Sequence, residues 1–415
     1  MSVQFRSQCR ICGGVELKRF LSLPDMPLTD DFIAAERLGS EFRHDIDVFV
    51  CADCLTAQTQ HDVNMDDYYE DYQYAVGGSP AASHFMRLVA KNVCSRFLAG
   101  AEGIKVLEVG SGDGVQLLAF KELGCEVIGY EPSAALVEIA QDRGIPTIHG
   151  LFGLESVKDL PERFKHVDVV MLSYTFDHLP HPREFVAAAR SILSPERGLL
   201  VVEVHDLEKI FARSEYCLFE HEHSVYLTES TASALCAIEG MTVIDFQLVP
   251  EADRRANSLI FVATPNGSAL ADRFPPAEPS VPAEFQDIEF YLQQGEVIRK
   301  GIENLDEFVE SIVSAGKTIA GYGAGGRGVM TLAAMKTASR FQYLADRKPK
   351  RPGLVAPKSG VPLVGLEALK DSPVDEILVF SFGYMREIQD ELAAFGYKPQ
   401  QFHSLLDALA GKIHA

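Results

Sequence analysis

The chain has 415 residues, more than one ordinary core supports, since single hydrophobic cores stop growing near roughly 250 residues. Apolar residues make up 47% and charged residues 23%, which excludes wholesale disorder. The formal charge of -21 repels phosphate backbones and anionic bilayers, so neither nucleic acid nor a membrane is an expected partner.

Residues 1–70 are strand-like and turn-like, with Cys9-Arg-Ile-Cys12 near the start and Cys51-Ala-Asp-Cys54 behind the apolar run Val48-Phe49-Val50. No segment approaches the roughly 18 apolar residues of a bilayer span, and the first residues, Met-Ser-Val-Gln-Phe-Arg-Ser-Gln, lack an apolar signal core. A cytoplasmic location is therefore expected. In that reducing setting two Cys-x-x-Cys pairs read as metal ligands rather than disulfides. Four thiolates form a tetrahedral set for Zn²⁺ with no open position, which makes the site structural. Four unrelated buried cysteines are the alternative, and the recurrence of the spacing weighs against it. A nucleic-acid-binding zinc ribbon is disfavoured by the acidic charge.

Residues 71–265 change to apolar strands alternating with amphipathic helical stretches, the pattern of an open α/β sheet. Strands are expected at 105–109, 126–130, 167–172, 198–204 and 258–263. The segment Val106-Leu-Glu-Val-Gly-Ser-Gly-Asp-Gly114 runs a buried strand into a glycine-rich turn before a helical stretch at 115–123. Glycines there let the backbone turn sharply and approach a ligand. The next strand ends in Glu131, placed to accept both hydroxyls of a ribose. A dehydrogenase would share that layout. The spacing Glu-x-Gly-x-Gly-x-Gly is instead similar to the first motif of class I methyltransferases, which makes Glu108, Gly110, Gly112, Asp113, Glu131 and Pro132 candidate contacts to S-adenosylmethionine. The strand through Ser173 should open over the same crevice, since ligands bind at the carboxyl ends of such strands.

Residues 266–284 are dense in proline and small residues and read as a linker. From 285 to 415 a long helical pattern to about 315 precedes a second α/β alternation, with strands at 318–322, 341–344 and 376–380. Thr318-Ile-Ala-Gly-Tyr-Gly-Ala-Gly-Gly-Arg-Gly328 again carries a strand into a glycine-rich turn. Backbone amides, a helix N-terminus and Arg327 suit a diphosphate; a packing turn without ligand is the alternative.

Together the cysteine pairs, Leu23-Pro-Asp-Met-Pro-Leu-Thr-Asp-Asp-Phe32, the Glu108 to Gly114 turn with Glu131-Pro-Ser133, Glu220-His-Glu-His-Ser-Val-Tyr226 and Gly321 to Gly328 resemble the nucleotide-sugar C-methyltransferases of deoxysugar biosynthesis. The resemblance covers nearly the whole chain. It implies a zinc-binding domain, a class I methyltransferase core of Rossmann-like α/β fold and a second Rossmann-like domain, acting as monomer or homodimer. It also implies a nucleoside-diphosphate keto sugar as substrate, methylated beside its keto group. A base must then remove the acidified C–H proton. The family's Glu-His pair matches Glu222 and His223, with His223 the base and Glu222 orienting it or holding its charge; a polar, solvated stretch between helix and strand, or an adventitious metal site, is the alternative. Tyr72 and Tyr74 lie where the family's tyrosines reach the sugar and can stabilise enolate charge, although four tyrosines so close together also make an ordinary apolar patch. Tyr322, Gly323, Ala324, Arg327, Asp346 and Lys350 fall on its nucleotide-binding segments.

The chain departs from the family at Glu220, where a Tyr is usual, at Asp253-Arg-Arg-Ala-Asn-Ser258 in place of a glycine-glycine-serine turn, and at Ser381-Phe382-Gly-Tyr384 in place of a Trp-Asn pair. These loops bear on which atom is methylated. Asp177-His178 supplies another base, suited to O- or N-methylation of a related conjugate. A noncatalytic zinc-bearing nucleotide-binding protein is the remaining alternative.

Overall fold

A computed structural model describes residues 2–29, 31–65, 80–100, 102–255, 257–347, 349 and 353–413. Its contacts divide the chain into two compact units that interleave in sequence. The first comprises Met1–Leu17, Cys51–Leu207 and Ser224–Gln286; the second comprises Lys18–Val50, Glu208–His223 and Asp287–Ala415.

The first unit is built on a seven-stranded sheet. Its strands are β1 (Lys105–Val109), β2 (Glu126–Glu131), β3 (Thr147–His149), β4 (Val169–Ser173), β5 (Leu199–Val204), β6 (Met241–Asp245) and β7 (Leu259–Pro265). The order is β3-β2-β1-β4-β5-β7-β6. β1 to β5 are parallel, and β7 enters antiparallel to both β5 and β6. The parallel strands are near-continuous apolar runs because both faces are covered. Alternate residues enter opposite cores: Leu107, Val170, Leu172 and Val202 pack on one side, Val106, Val169, Met171 and Val201 on the other. The strand order reverses between β1 and β4, so the crevice for a ligand opens at their carboxyl ends.

The second unit holds a five-stranded, all-parallel sheet. Its strands are β8 (Ile319–Tyr322), β9 (Phe341–Asp346), β10 (Leu363–Gly365), β11 (Glu376–Val379) and β12 (Phe402–Ser404), in the order β10-β9-β8-β11-β12. Here the reversal falls between β8 and β11. A long helix, α1 (Ile288–Ser314), is capped by Asp287, whose carboxylate accepts from the Glu289 amide. Its buried residues Tyr291, Ile298, Leu305, Phe308, Val309 and Ile312 recur at helical spacing.

Residues 18–50 and 208–223 join this unit through aromatic packing. The Phe20 ring stands edge-on to Phe211, Phe219 and Tyr291 at 5.8, 6.2 and 6.0 Å. The helix accommodates the approach at Gly295, where a Cβ would lie 1.8 Å from the Phe20 carbonyl oxygen. No helix among the described residues is long and apolar enough to cross a membrane.

Candidate active site and metal centre

The four cysteines converge in the first unit. All four sulfurs of Cys9, Cys12, Cys51 and Cys54 lie within 4.8 Å of one another, with Cys9 to Cys54 at 3.6 Å and Cys12 to Cys51 at 3.5 Å. Tetrahedral thiolates about 2.3 Å from a zinc ion stand about 3.8 Å apart, so the cluster fits Zn²⁺. Donors already surround the sulfurs. Gln58 Nε2 and the Ile11 amide donate to Cys9, the Gly14 amide donates to Cys12, and the Thr56 hydroxyl lies 3.2 Å from Cys54. Such contacts stabilise thiolate and orient it toward a metal. The hydrogen bond with Cys54 is the main force holding the Cys9 thiol below its ordinary value, against the opposing effect of burial.

The glycine-rich turn leaves β1 with Gly110, Gly112 and Gly114 all at positive φ. Gly110 is required twice over: its φ is +67°, and a Cβ would lie 2.4 Å from the Thr175 hydroxyl at the end of β4. Glu131 ties the turn to β2, accepting from the Gly112 amide at 2.8 Å and the Ser133 amide at 2.9 Å. Burial raises its pKa and those two hydrogen bonds oppose the rise. Glu108 is buried, and its Oε2 has no hydrogen-bond partner among the described residues. Burial first, then Glu131 and Asp113, push it well above the carboxylate range, with Arg255 pulling the other way. An orphaned buried carboxylate oxygen beside a glycine cradle is what a cationic ligand with a ribose would satisfy, and the residues therefore fit S-adenosylmethionine.

Other expected contacts are held by protein partners. Asp113 forms an ion pair with Arg143 at 2.7 Å, and the Pro132 carbonyl bonds His149 at 2.8 Å. The Ser173 hydroxyl donates to Glu203 Oε2 at 2.6 Å. Glu203 is fully buried at the end of β5 and is gripped by Arg255 through both carboxylate oxygens, with Ser258 donating at 2.9 Å. The Arg255 guanidinium lies 4.5 Å from the centre of the Tyr174 ring and 5.1 Å from that of Phe85.

Asp177 follows β4 with its side chain fully buried, and its partner is His205 Nδ1, not the adjacent His178, whose Nε2 stands 4.0 Å away. His205 was not singled out from sequence. It lies 28 residues from Asp177, and only the parallel pairing of β4 with β5 brings the two strand ends together.

In the second unit, His223 is 3% exposed and its Nδ1 bonds the Leu218 carbonyl at 2.8 Å. That contact assigns the proton to Nδ1 and leaves Nε2 as the acceptor nitrogen. The nearer carboxylate is Glu220, whose Oε2 is 3.8 Å from His223 Nε2. Glu222 accepts from the Thr29 hydroxyl at 2.8 Å, and its Oε2 has no hydrogen-bond partner among the described residues. His221, between them, bonds the Met26 carbonyl, and burial lowers its pKa.

The second glycine-rich turn leaves β8 at Tyr322 and enters α2 (Gly326–Ala334). Gly323 has φ +107°, and a Cβ there would meet the Ser381 hydroxyl at 2.4 Å. The Ala324 amide donates to Asp346 at 2.8 Å. Arg327 lies 3.2 Å from fully buried Glu215, and its guanidinium is 5.2 Å from the centre of the Phe382 ring. Glu220 approaches the start of α2, with its Oε1 3.0 Å from a Cβ built on Gly326. Tyr322 donates to Glu391 at 3.4 Å and packs in the apolar cluster beneath the sheet. Tyr72, Tyr74 and Lys350 lie outside the described residues.

Comparison with known proteins matches a methyltransferase domain to residues 82–245, a domain named for zinc binding to 9–69 and a C-methyltransferase C-terminal domain to 278–405. The C-methyltransferase NovU of Streptomyces niveus is 27% identical over 393 residues, covering 94% of this chain and 92% of that protein. A ubiquinone biosynthesis O-methyltransferase of Methylobacterium nodulans is 24% identical over 157 residues, spanning 35% of this chain and 62% of that relative. Among solved structures, the PH0226 protein of Pyrococcus horikoshii is 17% identical, with a TM-score of 0.38 over 48% of this chain and 99% of its own.

The sheet order, the glycine cradle with its acidic partner and the matched domain define an S-adenosylmethionine-dependent methyltransferase. More narrowly, the chain carries matches to a zinc-binding domain, a methyltransferase domain and a C-methyltransferase C-terminal domain in that order, and over nearly its whole length it is similar to a C-methyltransferase.

Proposed function

We propose that the acceptor is a keto sugar carried on a nucleoside diphosphate, methylated at the carbon beside the keto group, and that His223 is the base. The observation that carries this reading is the contact of His223 Nδ1 with the Leu218 carbonyl. With Nδ1–H committed to the Leu218 carbonyl, Nε2 is left as a buried proton acceptor, and Glu220 at 3.8 Å favours the imidazolium that forms. The keto group acidifies the neighbouring C–H, the proton passes to Nε2, and the electron pair is held as an enolate.

S-adenosylmethionine, when bound, supplies the electrophilic methyl group. Glu131 would hold its ribose hydroxyls, while Glu108, Gly110 and Gly112 would face its cationic end. Asp113, Pro132 and Ser173 support that pocket through Arg143, His149 and Glu203. Tyr322, Gly323, Ala324, Arg327 and Asp346 would take the nucleotide end of the substrate. Glu222 would hold a polar group of the sugar with its open Oε2.

Incubation in deuterium oxide tests the base. The wild-type protein should exchange the proton beside the keto group of nucleoside-diphosphate 4-keto-6-deoxyhexoses without S-adenosylmethionine, and His223→Ala should slow exchange by about 100-fold or more. Methyl transfer to oxygen or nitrogen with no exchange at carbon would refute the proposal.

A further inference from the structure

The Asp177–His205 pair is a second histidine with a carboxylate partner, and it lies in the unit that carries the glycine cradle. Asp177 is 0% exposed, and a carboxylate removed from water needs a paired donor to be tolerated. Its donor is a histidine ring that stays 16% exposed. A carboxylate on Nδ1 fixes the ring's orientation, makes Nε2 the proton-exchanging nitrogen and stabilises the imidazolium.

The surroundings tie the pair to the ligand crevice. Thr175, two residues before Asp177, is the residue that forbids a side chain at Gly110. Tyr174 packs its ring on His205 with centroids 4.6 Å apart, donates its hydroxyl to the Asn257 carbonyl at 3.1 Å and holds the Arg255 guanidinium. Tyr174 also adopts φ +49°, a left-handed conformation that a bulky residue takes only where its surroundings impose it. Such strain concentrates at functional edges. The next residue, Asp206, donates its amide to Asn257 Oδ1 at 2.9 Å, which ties the backbone beside His205 to the residue whose carbonyl Tyr174 bonds.

We propose that His205, oriented by Asp177 and packed by Tyr174, is a proton donor to the oxygen of the methyl acceptor. This rests on the keto-acceptor reading. As the C–H bond beside the keto group breaks and its proton passes to the base, the electron pair forms the carbon–carbon double bond of the enol, and the carbonyl oxygen takes a proton from Nε2 of the His205 imidazolium. The proton returns to Nε2 when the carbonyl re-forms. No oxidant or further reactant is needed. Asp177 and Tyr174 are positioning residues in this scheme.

The test uses the full chain and the same keto-sugar probes in deuterium oxide. His205→Ala should slow exchange by about 100-fold, with added imidazole restoring part of it, while adenosylhomocysteine affinity stays within about 3-fold of wild type. Asp177→Asn should lower kcat with little change in KM. Exchange by His205→Ala within about 3-fold of wild type, or a loss that imidazole does not restore, would overturn the inference while leaving His223 in place. Absence of exchange in the wild-type protein would instead overturn the keto-acceptor reading, and this inference with it.

Discussion

In the first unit the turn after β1 gives its Gly112 amide to Glu131, and in the second the turn after β8 gives its Ala324 amide to Asp346, both at 2.8 Å. Each turn opens where the strand order reverses, and each has a glycine whose Cβ would strike a hydroxyl across the reversal at 2.4 Å. The backbone design is shared. The charges are not. Two residues before its first turn glycine the first unit buries Glu108, with one oxygen unpartnered among the described residues, and the second unit has Gly321. The second turn has its helix start met by Glu220 and its Arg327 beside Glu215. A glycine-rich turn therefore sets where a ligand can lie, and the acids around it set what charge that ligand must bring.

The largest expected effect separates the two acidic strand ends. Glu131→Ala should weaken adenosylhomocysteine binding by about 100-fold or more, since it removes hydrogen bonds to a charged acceptor worth roughly 1.5–3 kcal/mol each. Asp346→Ala should leave that affinity within a few-fold of wild type. Calorimetric titration of both variants would break the distinction if they weakened binding equally.

A smaller effect follows from Glu108. Its folded pKa is raised, so its contribution to stability is fully present below the ordinary carboxylate pKa and is lost as pH rises through the elevated value. Glu108→Gln removes that loss. Its melting temperature should match wild type in acid and exceed it at neutral pH by roughly 4 °C, a shift of about 1–2 kcal/mol, while S-adenosylmethionine binds less tightly. Equal melting curves across the pH range would show that Glu108 is not held neutral in the free protein.

The smallest effect belongs to the second turn. Glu220→Gln takes a negative charge from the start of α2, where an anion is worth about 0.3–1 kcal/mol. Binding of inorganic pyrophosphate should strengthen by about 2–5-fold. Unchanged binding would mean that Glu220 does not compete for that helix end.

The parts that sequence revealed are those encoded by local spacing. The strand, turn and helix from Lys105 to Glu122 follow from glycines and apolar runs, and the cysteine cluster from two short motifs. The partner of Asp177 was not legible, because His205 sits on another strand end and no local pattern links them. The same holds for Arg255 with Glu203, joined by the antiparallel pairing of β5 with β7. Residues 18–50 and 208–223 join the second unit through Phe20, Phe211, Phe219 and Tyr291, aromatic positions that read in sequence as ordinary core. Glu220 is the instructive case. It reads as a substitution for an aromatic donor, and the structure adds that it lies at a helix start.

The central claim is that this chain forms a carbon–carbon bond with the methyl group delivered at the first turn. Incubation with S-adenosylmethionine carrying a ¹³C-labelled methyl group and a nucleoside-diphosphate 4-keto-6-deoxyhexose, followed by NMR of the product, tests it directly. The account predicts a labelled methyl bonded to the sugar carbon beside the keto group, formed by the wild-type protein and lost in Glu131→Ala. A labelled methyl bonded to oxygen or nitrogen would contradict it.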